Sequence, residues 1–304
     1  MQKIQTAGEY QHIVVKPVAG YVGAEVSGVD LTKLNDEVAE ELRRAFGDHS
    51  ALMFRDQTLT PDDLEKFGNI FGTHLIRDGA PAVTPFVREA DHVAGERAAG
   101  DLWHQDFTYY EQPTYAAALY SVDVPPYGGD TMFASNQAAF AALSPALQTI
   151  CEQLTVMHSA SGLYGADGQG GKGAQKPLDY YGDNAKIKDT LRAVLAQETP
   201  HPLVISHPVT KRKALLISGL MAVRFDGMTI DESQPLLQYL YQHVQRPEFT
   251  TRWRWEPNQL VIWDNLACLH FAVQDYSGMR RQMYRFELEG FPLEPANPAA
   301  IITA

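Results

Sequence analysis

The sequence predicts a β-rich domain decorated by a few helices. Short apolar or alternating stretches recur along nearly the whole chain of 304 residues. Helical periodicity is confined to a few segments. The regular strand–helix alternation of a doubly wound parallel sheet is absent. No repeat and no linker divides the chain, so a single domain over residues 1–304 is expected.

Taken in order, Ile13 to Val15 and Tyr21 to Val26 read as short strands around Pro17 and Gly20. Leu34 to Ala45 reads as a helix, with Leu34, Val38, Leu42 and Ala45 on one face. Ala51 to Arg55 is an apolar strand. Thr60-Pro61-Asp62-Asp63 starts a helix that runs to about Phe71, because Thr60 can cap it and Pro61 suits its first position. Residues 73–100 carry no clear period. Tyr115 to Val124 is a strand, followed by a Pro/Gly turn over 125–130 and a second strand from Thr131. Ser135 to Leu154 is helical, interrupted at Ser144-Pro145. Late strands are expected at Leu203–Ser206, Ala214–Ser218, Gln259–Trp263 and Gln282–Leu288, with a helix over Asp231–Val244.

Bulk properties narrow the function. A net charge of −12 argues against a nucleic-acid or anionic-membrane binder, which needs basic surface. It leaves small anionic substrates open, because a few local arginines can reverse the field. No membrane-length apolar stretch and no signal-like start are present, so a cytoplasmic protein is expected. Cys151 and Cys268 are widely spaced and read as buried apolar residues rather than a disulfide framework.

One motif misleads. Gly168-Gln-Gly-Gly-Lys-Gly173 matches G-x-G-x-x-G, yet no strand precedes it and no helix opens after it. The Gly-rich segment near 161–176 reads as a surface loop, with a lid over a site and a loop without a role both open.

His104-Gln105-Asp106 is the most informative triplet. In extended chain, residues i and i+2 project to one side, so His104 and Asp106 can reach one ion. That pattern alone is weak. His270 strengthens it, following the apolar run Leu260-Val-Ile-Trp263 and its turn. Two imidazoles and one carboxylate leave half an octahedron open, the arrangement of non-haem Fe(II) oxygenases. Arg281 and Arg285 share one face of the next strand and suit two anionic groups, since a guanidinium pairs with carboxylate or sulfonate through two hydrogen bonds.

These residues resemble the taurine dioxygenase and 2,4-dichlorophenoxyacetate dioxygenase (TauD/TfdA) family of Fe(II)/2-oxoglutarate enzymes. The likeness runs through Gly23–Leu31, Trp103–Asp106, Gly128–Ser135, Arg252–Trp255, Val261–Asn265 and His270, and the layout from Pro202 to Gly290 looks especially like the phenoxypropionate dioxygenases. The resemblance implies a double-stranded β-helix, a jelly-roll-like, cupin-like fold. It implies Fe(II) on His104, Asp106 and His270, with 2-oxoglutarate and O2 as cosubstrates. It gives Thr131 and Arg281 to the distal carboxylate of 2-oxoglutarate and Arg285 to the substrate's anion.

The segments Ala98-Ala-Gly100 and Thr73–Arg77 depart from the taurine enzymes. The expected substrate is therefore a small carboxylate with an apolar or aromatic body, with a taurine or alkylsulfonate type as the alternative. Tyr109, Tyr110 and Tyr164 are candidate pocket residues, and His74 is a further one. A homo-oligomer is the expected assembly. A zinc hydrolase and a non-catalytic anion-binding barrel stay open as readings of another class.

Overall fold

A fully apolar tetrapeptide, Ala51–Phe54, sits near the centre of the fold, and all four of its residues are buried. A strand reaches that state only when both faces of its sheet are covered. The computed structural model describes residues 10–76, 79–91, 100–161, 197–219 and 221–301. Within them the strands begin β1 (Val14–Pro17), β2 (Ala24–Ser27), β3 (Ala51–Phe54), β4 (Thr84–Arg88), β5 (Ala116–Asp123) and β6 (Thr131–Ser135). They continue β7 (Thr155–His158), β8 (Thr199–Pro202), β9 (Val204–Ser206), β10 (Lys213–Leu215) and β11 (Ala222–Phe225). The last are β12 (Thr250–Trp253), β13 (Leu260–Asp264), β14 (Cys268–Ala272), β15 (Arg281–Glu287) and β16 (Glu294–Pro295).

Seven strands form the main sheet, in the order β1-β2-β3-β13-β5-β15-β4. A three-stranded sheet, β12-β6-β14, packs against one face of it. The period of two along each strand assigns the residues to layers. Val261 and Trp263 of β13 point inward, with Met53, Ala117, Leu119 and Met283, to meet Phe133 and Trp253 of the smaller sheet. Leu260, Ile262 and Phe286 point the other way. This is the double-stranded β-helix arrangement, mostly β, as expected.

Helices cover the outer faces. α1 (Asp36–His49) is capped by Asn35, and α2 (Pro61–Gly68) starts with a capping box in which Thr60 and Asp63 satisfy each other's backbone N–H groups. Leu42, Phe46, Leu64 and Phe67 lie against the outer face of the main sheet. α3 (Asn136–Ala142) and α4 (Pro145–Cys151) are capped by Ser135 and Ser144, so the break falls where Ser144-Pro145 predicts it. With α5 (Ile230–Val244) they cover the smaller sheet and β7, β9 and β10. No helix among the described residues is long and apolar enough to cross a membrane.

The structure departs from expectation at the weak signals. α2 ends at Gly68, three residues short of Phe71, and a Cβ on Gly68 would lie 2.4 Å from the His74 ring. The irregular stretch 73–100 contains β4, which pairs with β15 at the sheet edge. Pro85 and three consecutive exposed residues hide that strand from any periodicity. The Gly-rich segment expected near 161–176 lies outside the described residues beyond Ser161.

Phe286 tests the separation of layers. It is 3% exposed and packs edge-on against Phe67 and His74, on the face opposite Met283. Phe286→Ala should cost about 3–5 kcal/mol in urea unfolding. The folded fraction should keep wild-type metal binding.

Candidate metal centre and its anion sites

The site is assembled from two segments far apart in sequence. His270 lies in the middle of β14, fixed by antiparallel pairing with Phe133 of β6. His104 lies on an arm that makes an isolated two-way bridge to it. The His104 N–H donates to the His270 carbonyl at 3.0 Å, and the His270 N–H donates back at 2.9 Å. The imidazole rings are thereby brought together, with centroids 4.0 Å apart and planes tilted by 44°. Asp106 follows two residues on, and its carboxylate oxygens stand 3.5 Å from His104 Nε2 and 3.6 Å from His270 Nε2.

These three side chains form the one cluster of His, Cys, Asp or Glu among the described residues that can hold a metal ion. Ligand atoms on neighbouring positions of an ion with bonds near ~2.1 Å sit about 3 Å apart, so a small inward movement closes the site. The tautomer of His104 is set from behind: Nδ1–H donates to the Leu102 carbonyl at 2.6 Å, leaving Nε2 to coordinate. Burial, then the neighbouring His104, keeps His270 neutral well below the usual histidine range. Burial opposes ionisation of Asp106, but Arg285, His270 and His104 outweigh it and hold the carboxyl well below its usual range. A neutral His270 and an ionised Asp106 are in the protonation states that ligate a divalent ion.

Arg281 and Arg285 flank this cluster on the inward side of β15, as the period of two predicts. Arg281 is 5% exposed, and its Nε–H has no acceptor. No carboxylate among the described residues is in ion-pair contact with it, although Tyr276 bonds its side chain and Asp130 supports its charge. Its guanidinium faces the Trp255 ring at 5.8 Å. Burial pulls its proton affinity down, yet an arginine stays charged. A buried cation without a counter-ion in contact is costly, so this pocket is suited to an anion brought from outside. Thr131 contributes to the same pocket. Its hydroxyl oxygen accepts from Trp255 Nε1 at 3.0 Å, which leaves its own proton to donate. The chain approaches closely here: Gly128 has φ +76, and a Cβ on it would lie 2.8 Å from the Asp275 carbonyl oxygen. The Gly129 N–H donates to Asp275 Oδ1 at 2.8 Å, which pins the loop before Arg281 to the start of β6.

Arg285 is the more open cation. Its side chain is 27% exposed, and one terminal nitrogen donates to Asp106 at 2.9 Å and to Glu287 at 2.5 Å. Burial opposes its charge, while Asp106 and Glu287 more than restore it. Its Nε–H is buried without an acceptor, so a donor remains for a ligand.

One candidate residue is placed elsewhere. His74 Nε2–H donates to the Glu65 carbonyl of α2 at 2.8 Å, and the ring packs on Phe286, on the outer side of β15. It secures the end of α2 and is not brought to the metal cluster; a histidine next to a helix end gives no sign of which side of the sheet it takes. Tyr109 is buried with Phe107, Ala160 and Met221, and its ring lies 4.8 Å from Tyr110. Tyr164 lies outside the described residues.

Other residues of the site receive no role from the sequence. Trp255, Glu287 and Asp275 act through contacts that no local spacing announces. His158 and His201 anchor the arm beyond Asp106. His158 Nδ1 meets the Thr108 hydroxyl at 2.8 Å, and His201 Nε2 bonds the Thr108 carbonyl at 2.9 Å. Burial holds both imidazoles below the usual range.

Comparison with known proteins agrees with this geometry. A family model described as taurine catabolism dioxygenase TauD, TfdA family matches residues 15–286. An alpha-ketoglutarate-dependent sulfate ester dioxygenase of Pseudomonas putida is 34% identical, over 94% of this chain and 93% of the relative. An (S)-phenoxypropionate/alpha-ketoglutarate-dioxygenase of Sphingobium herbicidovorans is 30% identical, over 94% of this chain and 97% of the relative. A crystal structure of a taurine dioxygenase from Burkholderia xenovorans aligns with TM-score 0.76 and 31% identity, covering 94% of this chain and 93% of that one.

The three-residue cluster predicts a single metal ion. Anaerobic equilibrium dialysis against Fe(II) should load the wild-type chain, while Asp106→Ala and His270→Ala should retain no iron above background. Retention by either variant would place the ion elsewhere.

Proposed function

We propose a substrate class from the premise that this chain belongs to the TauD/TfdA family of dioxygenases. Members and relatives of that family are 2-oxoglutarate-dependent dioxygenases, and this chain is one: an oxidoreductase that uses Fe(II), 2-oxoglutarate and O2. When bound, the iron with its two cosubstrates supplies an oxidant able to hydroxylate an unactivated C–H bond. The rest of the work falls to side chains.

His104, Asp106 and His270 hold the metal on one side and leave the other open. Arg281 and Thr131 bind the distal carboxylate of 2-oxoglutarate. The burial of Arg281, with an Nε–H that has no acceptor and no carboxylate in ion-pair contact among the described residues, supports that assignment, because this carboxylate would supply a close counter-charge. Trp255 keeps the Thr131 hydroxyl turned for donation.

The substrate is a small organic anion held by Arg285. One observation carries this: a partly open guanidinium 2.9 Å from the metal-binding carboxylate, with an Nε–H that has no acceptor. An anion seated there holds the rest of the molecule at a fixed distance from the iron, and orientation of that kind decides which C–H bond reacts. We place the substrate among carboxylates with an apolar or aromatic body. The aromatic side chains Phe107, Tyr109 and Tyr110 directly after Asp106 support that body. Where the hydroxylated carbon also carries an ether oxygen, the product is a hemiacetal and the C–O bond breaks. The phenoxypropionate enzyme's name fits this reading. A sulfate ester or sulfonate is the second reading, favoured by the 34% identity to a sulfate ester dioxygenase; the guanidinium accepts either anion. Two free, buried cysteines fit a reducing compartment, and we place the enzyme in the cytoplasm.

The test is a panel of aryloxyalkanoates, alkyl sulfates and alkylsulfonates scored by succinate release. One anionic class should stimulate turnover. Arg285→Ala should lower kcat/KM for that class at least about 30-fold, the equivalent of ~2 kcal/mol from one lost charged partner, and leave substrate-independent turnover in place. Stimulation by neutral compounds that is indifferent to Arg285 would overturn the reading.

A further inference from the structure

Asp106 has an unusual backbone environment for a metal ligand. The arm that carries it belongs to no sheet beyond the bridge at His104, and Phe107 just after it has φ +55. A left-handed residue ends any extended run. The N–H and C=O of Asp106 therefore have no ladder partner, and buried backbone groups need one.

Asn265 supplies both. The Asp106 N–H donates to Asn265 Oδ1 at 2.7 Å, and Asn265 Nδ2 donates to the Asp106 carbonyl at 3.0 Å. The second Nδ2 hydrogen goes to the Thr114 carbonyl at 2.8 Å, so the carboxamide is fully used. Asn265 is itself immobile. It is 0% exposed, and its N–H donates to the Tyr115 carbonyl at 2.8 Å. Its carbonyl accepts from Gln105 Nε2 at 2.8 Å, and Gln105 Oε1 accepts the Ile217 N–H. The turn around it is fixed by Asp264 Oδ1, which accepts the N–H groups of Leu266 and Ala267. Five residues later the same chain presents His270.

We propose that Asn265 is a positioning residue for the metal. It fixes the main chain of Asp106, and the Asp106 carboxylate then reaches the ion by side-chain rotation alone. Because the turn that holds Asn265 runs directly into β14, one rigid element sets the positions of two ligands that are 164 residues apart. An isosteric aspartate cannot replace it, since a carboxylate oxygen would face two carbonyls in place of the amide's two donors.

The proposal rests on the three-ligand site, and its test separates the two claims. Mn(II) is titrated calorimetrically into metal-free wild type, Asn265→Asp, Asn265→Ala and Asn265→Ser, with the thermal midpoint of each metal-free protein recorded. Phe67→Leu serves as control, a core change in the outer layer away from the site. The Asn265 variants should bind Mn(II) at least about 10-fold more weakly than wild type, the loss typical when support behind a ligand is removed. Phe67→Leu should bind normally despite its lower midpoint. Wild-type Mn(II) affinity in the Asn265 variants would overturn the proposal, as would an equal loss in Phe67→Leu. Failure of all three Asn265 variants to fold would also overturn it, by making the residue a structural one. Failure of wild type itself to bind Mn(II) would instead sink the three-ligand site.

Discussion

The site depends on a pair of backbone hydrogen bonds between His104 and His270. This exchange, at 3.0 and 2.9 Å, is the bridge that ties the His104 arm to β14, where the Ala272 N–H also donates to the Gly100 carbonyl at 2.7 Å. Without it the arm would carry His104 and Asp106 on a loop. Metal ligands held on a loop lose the fixed geometry that a partly open coordination sphere needs. With it, the arm inherits the position of β14, and β14 inherits its own from four residues paired on either side of His270 along β6. A local two-residue match thus transfers the rigidity of a sheet to an irregular segment.

Electrostatics follows from the same packing. Three charged side chains, Asp106, Arg281 and Arg285, line a largely buried space. Isolated charges there would be expensive, and each is resolved differently. Asp106 is stabilised as a carboxylate by Arg285 and two imidazoles. Arg285 is matched by Asp106 and Glu287. Arg281 is in ion-pair contact with no carboxylate among the described residues; Tyr276 bonds its side chain, and Asp130 supports its charge. The two arginines differ in openness: Arg281 is closed off in the fold, while Arg285 is partly exposed.

Much of this was legible in the sequence, for physical reasons. His104 and Asp106 share a side because extended chain alternates, and Arg281 and Arg285 share one for the same reason. Thr60, Ser135 and Ser144 mark helix starts because each offers an oxygen to a free backbone N–H. The residues that escaped act across the fold. Trp255 reaches Thr131 from two residues beyond the end of β12. Asn265 clamps Asp106 across a separation of 159 residues, which no spacing rule encodes. His74 was misplaced because a short loop after a helix can return to either face of a sheet. Edge strand β4 was missed because an edge needs neither apolar face nor alternation, only backbone groups to pair.

The central claim is that His104, Asp106 and His270 hold Fe(II) with positions left open for 2-oxoglutarate. The most direct measurement is the visible absorption of the purified protein mixed with Fe(II) and 2-oxoglutarate under nitrogen. A weak metal-to-ligand charge-transfer band should appear in the wild type and vanish in His104→Ala. A wild-type protein with no such band, or a band that survives loss of His104, would contradict the account.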